Sequence, residues 1–128
     1  MRPQSAPGSD VIGEGLESVS CPTARFCVAV DAMGYGYTLS RGTWSTGQQA
    51  TQNAYYSVSC PKTGVCVAVE DGPYWNSYSS GTWSSDQQIE TGTFFDHLTA
   101  VSCPTTSFCV AVTTGGYAYT DSNATPMG

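Results

Sequence analysis

The residues able to do chemistry are few, and they do not form a catalytic pattern. The chain has a single histidine, His97, which follows Asp96 in Phe94-Phe95-Asp96-His97. A Ser–His–Asp relay needs a nucleophile, a base and an orienting carboxylate placed together. Serines abound, but no Gly-x-Ser-x-Gly elbow occurs, so His97 reads as an exposed loop histidine beside a carboxylate. Carboxylates adjoin at Glu70-Asp71 and come close at Glu14 and Glu17, the raw material of a glycosidase acid pair. Asp71-Gly72-Pro73, however, is first of all a turn. A calcium loop would alternate oxygen ligands as Asp-x-Asp-x-Asp-Gly, and that string is absent. The expectation is a chain without enzymatic activity, metal or other cofactor.

The cysteines are regular instead. Ser18-Val19-Ser20-Cys21-Pro22 recurs as Ser57-Val58-Ser59-Cys60-Pro61 and as Ala100-Val101-Ser102-Cys103-Pro104. Six positions after each first Cys comes a second, opening Cys27-Val28-Ala29-Val30, Cys66-Val67-Ala68-Val69 and Cys109-Val110-Ala111-Val112. Eight further on stands Tyr35, Tyr74 or Tyr117, and seventeen further on stands Trp44 or Trp83 within Gly-Thr-Trp-Ser. The third unit has Ala124-Thr125-Pro126 at that place. Such self-similarity at about 40 residues marks a repeat architecture. The chain is one repeat domain, 1–128: a leader or strand donor 1–15, then units 16–54, 55–97 and a truncated 98–128. Aligned this way, Glu70-Asp71 corresponds to Asp31-Ala32 and Thr113-Thr114, so the acidic pair is not shared.

Each unit reads as four short strands. The first is Leu16 to Cys21, Tyr55 to Cys60 or Leu98 to Cys103. The second is Cys-Val-Ala-Val, apolar throughout, as a strand covered on both faces should be. The third, Tyr35-Gly36-Tyr37-Thr38-Leu39 in the first unit, alternates with period two. Gly-Thr-Trp-Ser turns into the fourth. Gly, Pro, Asp and Ser clusters separate them, and no stretch has a capped helical period. The fold class is all-β.

Pairing that treats the three units alike and stays local joins Cys21 to Cys27, Cys60 to Cys66 and Cys103 to Cys109. The Cys-x5-Cys spacing is wider than a zinc pair, and one histidine completes no ligand set. Disulfides imply an oxidising compartment, hence a secreted or extracellular protein. Ten acidic against four basic residues give a net charge of −6, the wrong sign for nucleic acid or an anionic membrane surface. No apolar run approaches the roughly 20 residues of a membrane span.

Two closed architectures use four-stranded units of this size, the β-trefoil with three lobes and the β-propeller with more blades. The string Ser-Val-Ser-Cys-Pro-x4-Cys-Val-Ala-Val, Gly-Tyr-x-Tyr, Gly-Thr-Trp-Ser resembles the tandem repeats of secreted actinobacterial proteins of the β-propeller type over residues 16–125. Its Gly-Thr-Trp turn is distantly similar to the Asp-box (BNR) repeat, with Ser40 or Ser79 where the Asp would stand. The resemblance implies three four-stranded antiparallel blades. Three blades do not close a ring, so the expected assembly is half of a six-bladed propeller closed by homodimerisation, with the monomeric β-trefoil as the alternative.

Aromatic side chains are the remaining functional signal. Tyr35, Tyr74 and Tyr117 share one repeat position; Tyr37, Asn76 and Tyr119 share another. Trp75 has no equivalent aromatic and reads as the exposed one. Rings of this kind stack on sugars while hydroxyls and amides read the polar edge. The expected function is a secreted lectin-like binding module for a glycan or extracellular partner. The alternatives are a self-assembling structural subunit and, less well supported, a sialidase-like hydrolase. Thiol titration of the denatured, unreduced protein is expected to find no free thiol; six would remove the disulfide argument.

Overall fold

The structure, a computed structural model, describes residues 15–88 and 97–122. The leader role suggested for residues 1–15, the Asp96 neighbour of His97 and the Ala124-Thr125-Pro126 string lie outside the described residues or, for Gly15, at their edge. The repeats fold as three meander sheets. The first holds β1 (Leu16–Thr23), β2 (Phe26–Asp31), β3 (Tyr35–Ser40), β4 (Thr43–Trp44) and β5 (Gln48–Gln49). The second holds β6 (Tyr55–Lys62), β7 (Val65–Glu70), β8 (Tyr74–Ser79), β9 (Thr82–Trp83) and β10 (Gln87–Gln88). The third holds β11 (Leu98–Thr105), β12 (Phe108–Thr113) and β13 (Ala118–Ser122). In each, the first strand pairs the second and the second pairs the third, all antiparallel.

Register repeats as faithfully as sequence. Val19 faces Ala29 and Ala29 faces Tyr37; Val58, Ala68 and Asn76 line up likewise, as do Val101, Ala111 and Tyr119. Strand pairing runs within units among the described residues. The trefoil alternative, whose lobes share one barrel, does not describe these three separate sheets.

The expected fourth strand is split in two, β4 and β5, because Ser45 replaces a ladder rung. Its amide donates to Thr38 O at 2.7 Å while its Oγ accepts from the Thr38 amide at 3.0 Å. Ser84 does the same to Ser77, at 2.7 and 3.0 Å. The tight turn before each has two successive left-handed residues, Arg41 and Gly42 at φ 52° and 86°, Ser80 and Gly81 at 51° and 91°. That is the backbone of a type I′ hairpin, and it explains the fixed Gly before Thr-Trp-Ser. The three disulfides form as expected, Cys21–Cys27, Cys60–Cys66 and Cys103–Cys109.

The sheets stack face to face. Phe26, Val28 and Val30 of β2 bury against Tyr55, Val58, Ala68 and Tyr78, with Trp83 at the edge. Val69 and Trp75 of the second sheet bury against Leu98, Val101 and Ala111 of the third. Between sheets the first strands are stitched by serine hydroxyls: the Val58 and Cys60 amides donate to Ser18 and Ser20 Oγ at 3.1 and 2.9 Å. The Val101 and Cys103 amides donate to Ser57 and Ser59 Oγ at 3.2 and 2.8 Å.

The second strand was expected to be covered on both faces in every unit. β2 is buried along its length, but β12 leaves Phe108 40% and Val112 41% exposed, since no described residue covers that side of the third sheet. At the other end of the stack Leu16 and Val19 are 42% and 59% exposed.

Gly34 ties the first sheet to the segment leading into the second. Its carbonyl accepts from the Ala50 and Thr51 amides, its φ is 87°, and a Cβ there would lie 2.1 Å from Thr51 O. Gly34→Ala is therefore expected to cost at least about 2 kcal/mol through backbone strain and clash, read as a lower midpoint in urea unfolding; an unchanged midpoint would contradict this account of the junction.

Candidate functional site

Position along the third strand divides the aromatic residues expected to bind. Tyr35 and Tyr74 are half-buried and Tyr117 is 54% exposed, each at the head of the third strand of its sheet or just before it. These three keep accessible surface, spaced one per unit. Tyr37 and Asn76, two positions further along the same strands, are buried, and Tyr119 is half-buried against the second core.

Three expectations are corrected here. Trp75 is not the exposed aromatic: it is 7% exposed, because the third sheet lies over it. Asn76 is fully buried, its Oδ1 accepting from Tyr55 OH at 2.9 Å and its amide reaching Ala50 O at 3.5 Å. Tyr37 is 2% exposed; its hydroxyl donates to Asp31 Oδ2 at 2.8 Å and its ring lies against Gly47. None of the three presents a ring or amide to a ligand on the chain as folded. They fill the sheet faces, where period two had put them without telling which face is covered.

The residue ending each second strand has two uses. Asp31 Oδ1 accepts from the Met33 and Tyr35 amides, both at 2.9 Å, and Thr113 Oγ1 accepts from those of Gly115 and Tyr117, both at 3.2 Å. Each closes its own loop and so places the tyrosine that follows. Glu70, at the same position, is longer and turns instead to the joint between the first two sheets. Its Oε1 accepts from Thr51 Oγ1 at 2.8 Å and Asn53 Nδ2 at 3.1 Å, while Oε2 is buried with no hydrogen-bond partner.

Thr51 Oγ1 also lies 3.0 Å from Asp86 Oδ2. A threonine hydroxyl carries one hydrogen and serves one carboxylate at a time. Asp86 is exposed to water, whereas Glu70 is fully buried. Burial pushes Glu70 up to about 7, opposed by the Asn53 and Thr51 hydrogen bonds and reinforced by Asp86. Burial also raises the Tyr55 hydroxyl.

His97 sits in an exposed cluster. Its Nδ1 is 3.0 Å from Asp71 Oδ1 and accepts from the Gly72 amide at 3.0 Å, and its own amide donates to Thr114 Oγ1 at 3.2 Å. Tyr56 OH donates to the same Asp71 oxygen at 3.3 Å. A shallow hollow of about 330 Å³ is lined by Glu17, Tyr56, His97, Thr99 and Thr114. No serine lines it, and Asp71 and His97 mainly pin the second loop to the start of the third sheet. Among the described residues no three of His, Cys, Asp and Glu converge on a common point.

The stitching serines Ser18, Ser20, Ser57 and Ser59 lie outside the aromatic set that the sequence points to. Their signal was in view: two hydroxyls at alternate positions before a cysteine, repeated at the same register.

No protein-family model and no curated protein matches the chain. Among solved structures it is similar to YCF48 bound to D1 peptide, with a TM-score of 0.69 and 16% identity over 94% of this chain and 46% of that one. The fold is propeller-like. The chain spans about half the length of YCF48. It is also similar to the computationally designed Ika4 protein, with a TM-score of 0.51 and 11% identity over 94% of this chain and 99% of that one. No helix among the described residues is long and apolar enough to cross a membrane.

Glu70 keeps its proton to higher pH folded than unfolded, so its contribution is most favourable below about 4.5, declines as pH rises to about 7 and is level above. At about 1.4 kcal/mol per unit the decline reaches about 3 kcal/mol. Denaturant unfolding across that range is expected to show this slope in the wild type and to lose it in Glu70→Gln; equal slopes would place the proton elsewhere.

Proposed function

We propose that the chain is a non-enzymatic binding module of an oxidising, extracellular compartment, half of a six-bladed propeller that a second copy completes. The single observation that carries this reading is that both ends of the stack are apolar, with Leu16 and Val19 exposed on one outer face and Phe108 and Val112 on the other. A sheet apolar on both sides needs a neighbour on each. Three disulfides support the compartment.

The partner favoured is a protein segment. A propeller-like neighbour, YCF48, is seen with a peptide, and the repeat-equivalent tyrosines that keep accessible surface, Tyr35, Tyr74 and Tyr117, offer amphipathic contact area at low entropic cost. Closure by a second copy doubles the set and adds avidity. The carbohydrate reading keeps these three tyrosines but loses Tyr37, Trp75 and Asn76 to the core.

Light scattering is expected to give twice the 13.5 kDa chain mass; a strict monomer at tens of micromolar would overturn the half-ring. Screening peptide and glycan arrays in parallel separates the partner classes. For any ligand found, Tyr117→Ala is expected to weaken binding about tenfold, the scale of an aromatic contact residue, with no loss of fold.

A further inference from the structure

Resting on that reading, we propose that the two copies meet through one specified seam: the third sheet of one copy against the first sheet of the other, with Trp44 seated over Ala118. The internal seams show the rule. Gly36, Trp75 and Ala118 share one repeat position, and Trp44 and Trp83 share another. In the first seam a Cβ on Gly36 would lie 2.6 Å from Trp83 Cζ2, so the third strand of one unit is bare where the indole of the next presses on it. That indole also packs on Tyr55, ring centroids 5.7 Å apart.

In the second seam the supply is reversed. The third unit has no tryptophan at the corresponding place, and the second unit's own Trp75 provides the ring, in one core with Leu98, the equivalent of Tyr55. Each seam thus holds one indole, from one side or the other. Two indoles would collide, and none would leave a cavity.

The outer faces satisfy the same rule only when brought together. Trp44 is half-buried beside a mainly apolar hollow of about 320 Å³ that it lines with Leu16, Glu17, Ser18, Val19 and Ala29. It needs a facing strand with a small residue at the position of Gly36. The Gly36 surface already carries Trp83, and Trp75 fills the corresponding place in the second sheet. Ala118, exposed on the third sheet, is the small residue that remains.

The serine stitches agree in register and weaken the joint. Ser102 stands where Ser20 and Ser59 stand, ready to accept from Cys21 N of the second copy, as those accept from Cys60 and Cys103 at 2.9 and 2.8 Å. The other stitch is missing: Ala100 replaces the serine that serves Val58 and Val101 in the internal seams. The inter-copy seam therefore has one hydroxyl where the others have two, and it is the joint that opens first.

The test is a mutant cycle on the dimer dissociation constant, by sedimentation, with circular dichroism confirming the fold. Trp44→Ala and Ala118→Trp are each expected to raise the constant at least tenfold. The double variant, which reproduces the Trp75 arrangement, is expected to recover most of the loss, and Ala100→Ser to tighten the dimer severalfold. A dimer indifferent to Ala118→Trp, or a double variant no tighter than Ala118→Trp alone, would overturn the seam while leaving the dimer standing. A wild-type monomer would bring down the underlying reading itself, and wild-type growth past the dimer would overturn two-copy closure.

Discussion

Every sheet in this chain is apolar on both faces, and that constraint organises the rest. A side chain the size of Val, Leu or Phe gains about 1.5–3 kcal/mol on full burial, so one two-sided sheet alone loses most of what could stabilise it. Stacking is the remedy, and the middle sheet obtains it on both sides, with Val58 and Ala68 in one core and Val69 and Trp75 in the other. The outer sheets obtain it on one side each. The same alternation that builds the strands thus leaves apolar side chains exposed on the two outer faces.

Much of this was legible in the sequence because the repeat is strict. Strand order, the disulfide partners and the turn before Thr-Trp-Ser follow from positions that recur in step. What period two does not disclose is which face of a strand another element covers. Tyr37, Trp75 and Asn76 read as possible ligand contacts on their side-chain types alone. Trp75 in particular looked isolated because its counterpart is not an aromatic but a gap, the bare backbone of Gly36 under Trp83. The exchange between a ring and a space is visible only when two sheets are seen together.

The polar residues show the same dependence on neighbours. Asp31, Glu70 and Thr113 occupy one position; Asp31 and Thr113 accept from the amides of their own loops, and Asp31 accepts also from Tyr37 OH within its own sheet. One more methylene lets Glu70 cross to Thr51 and Asn53, so a loop-closing site becomes a carboxyl buried at a joint. The stitching serines likewise repeat in register, yet their acceptors and donors lie in different units. Local chemistry was readable; its partner was not.

The disulfides have a consequence for how the chain matures. Each links cysteines separated by 6 positions, at the end of one hairpin, and none joins one unit to another. The correct partner is always the nearest, which makes its loop the least costly to close. Oxidation can proceed unit by unit during synthesis, with every scrambled isomer disfavoured by its longer loop. Reduction, conversely, would loosen individual hairpins while leaving the units joined by the polypeptide and by their packed faces.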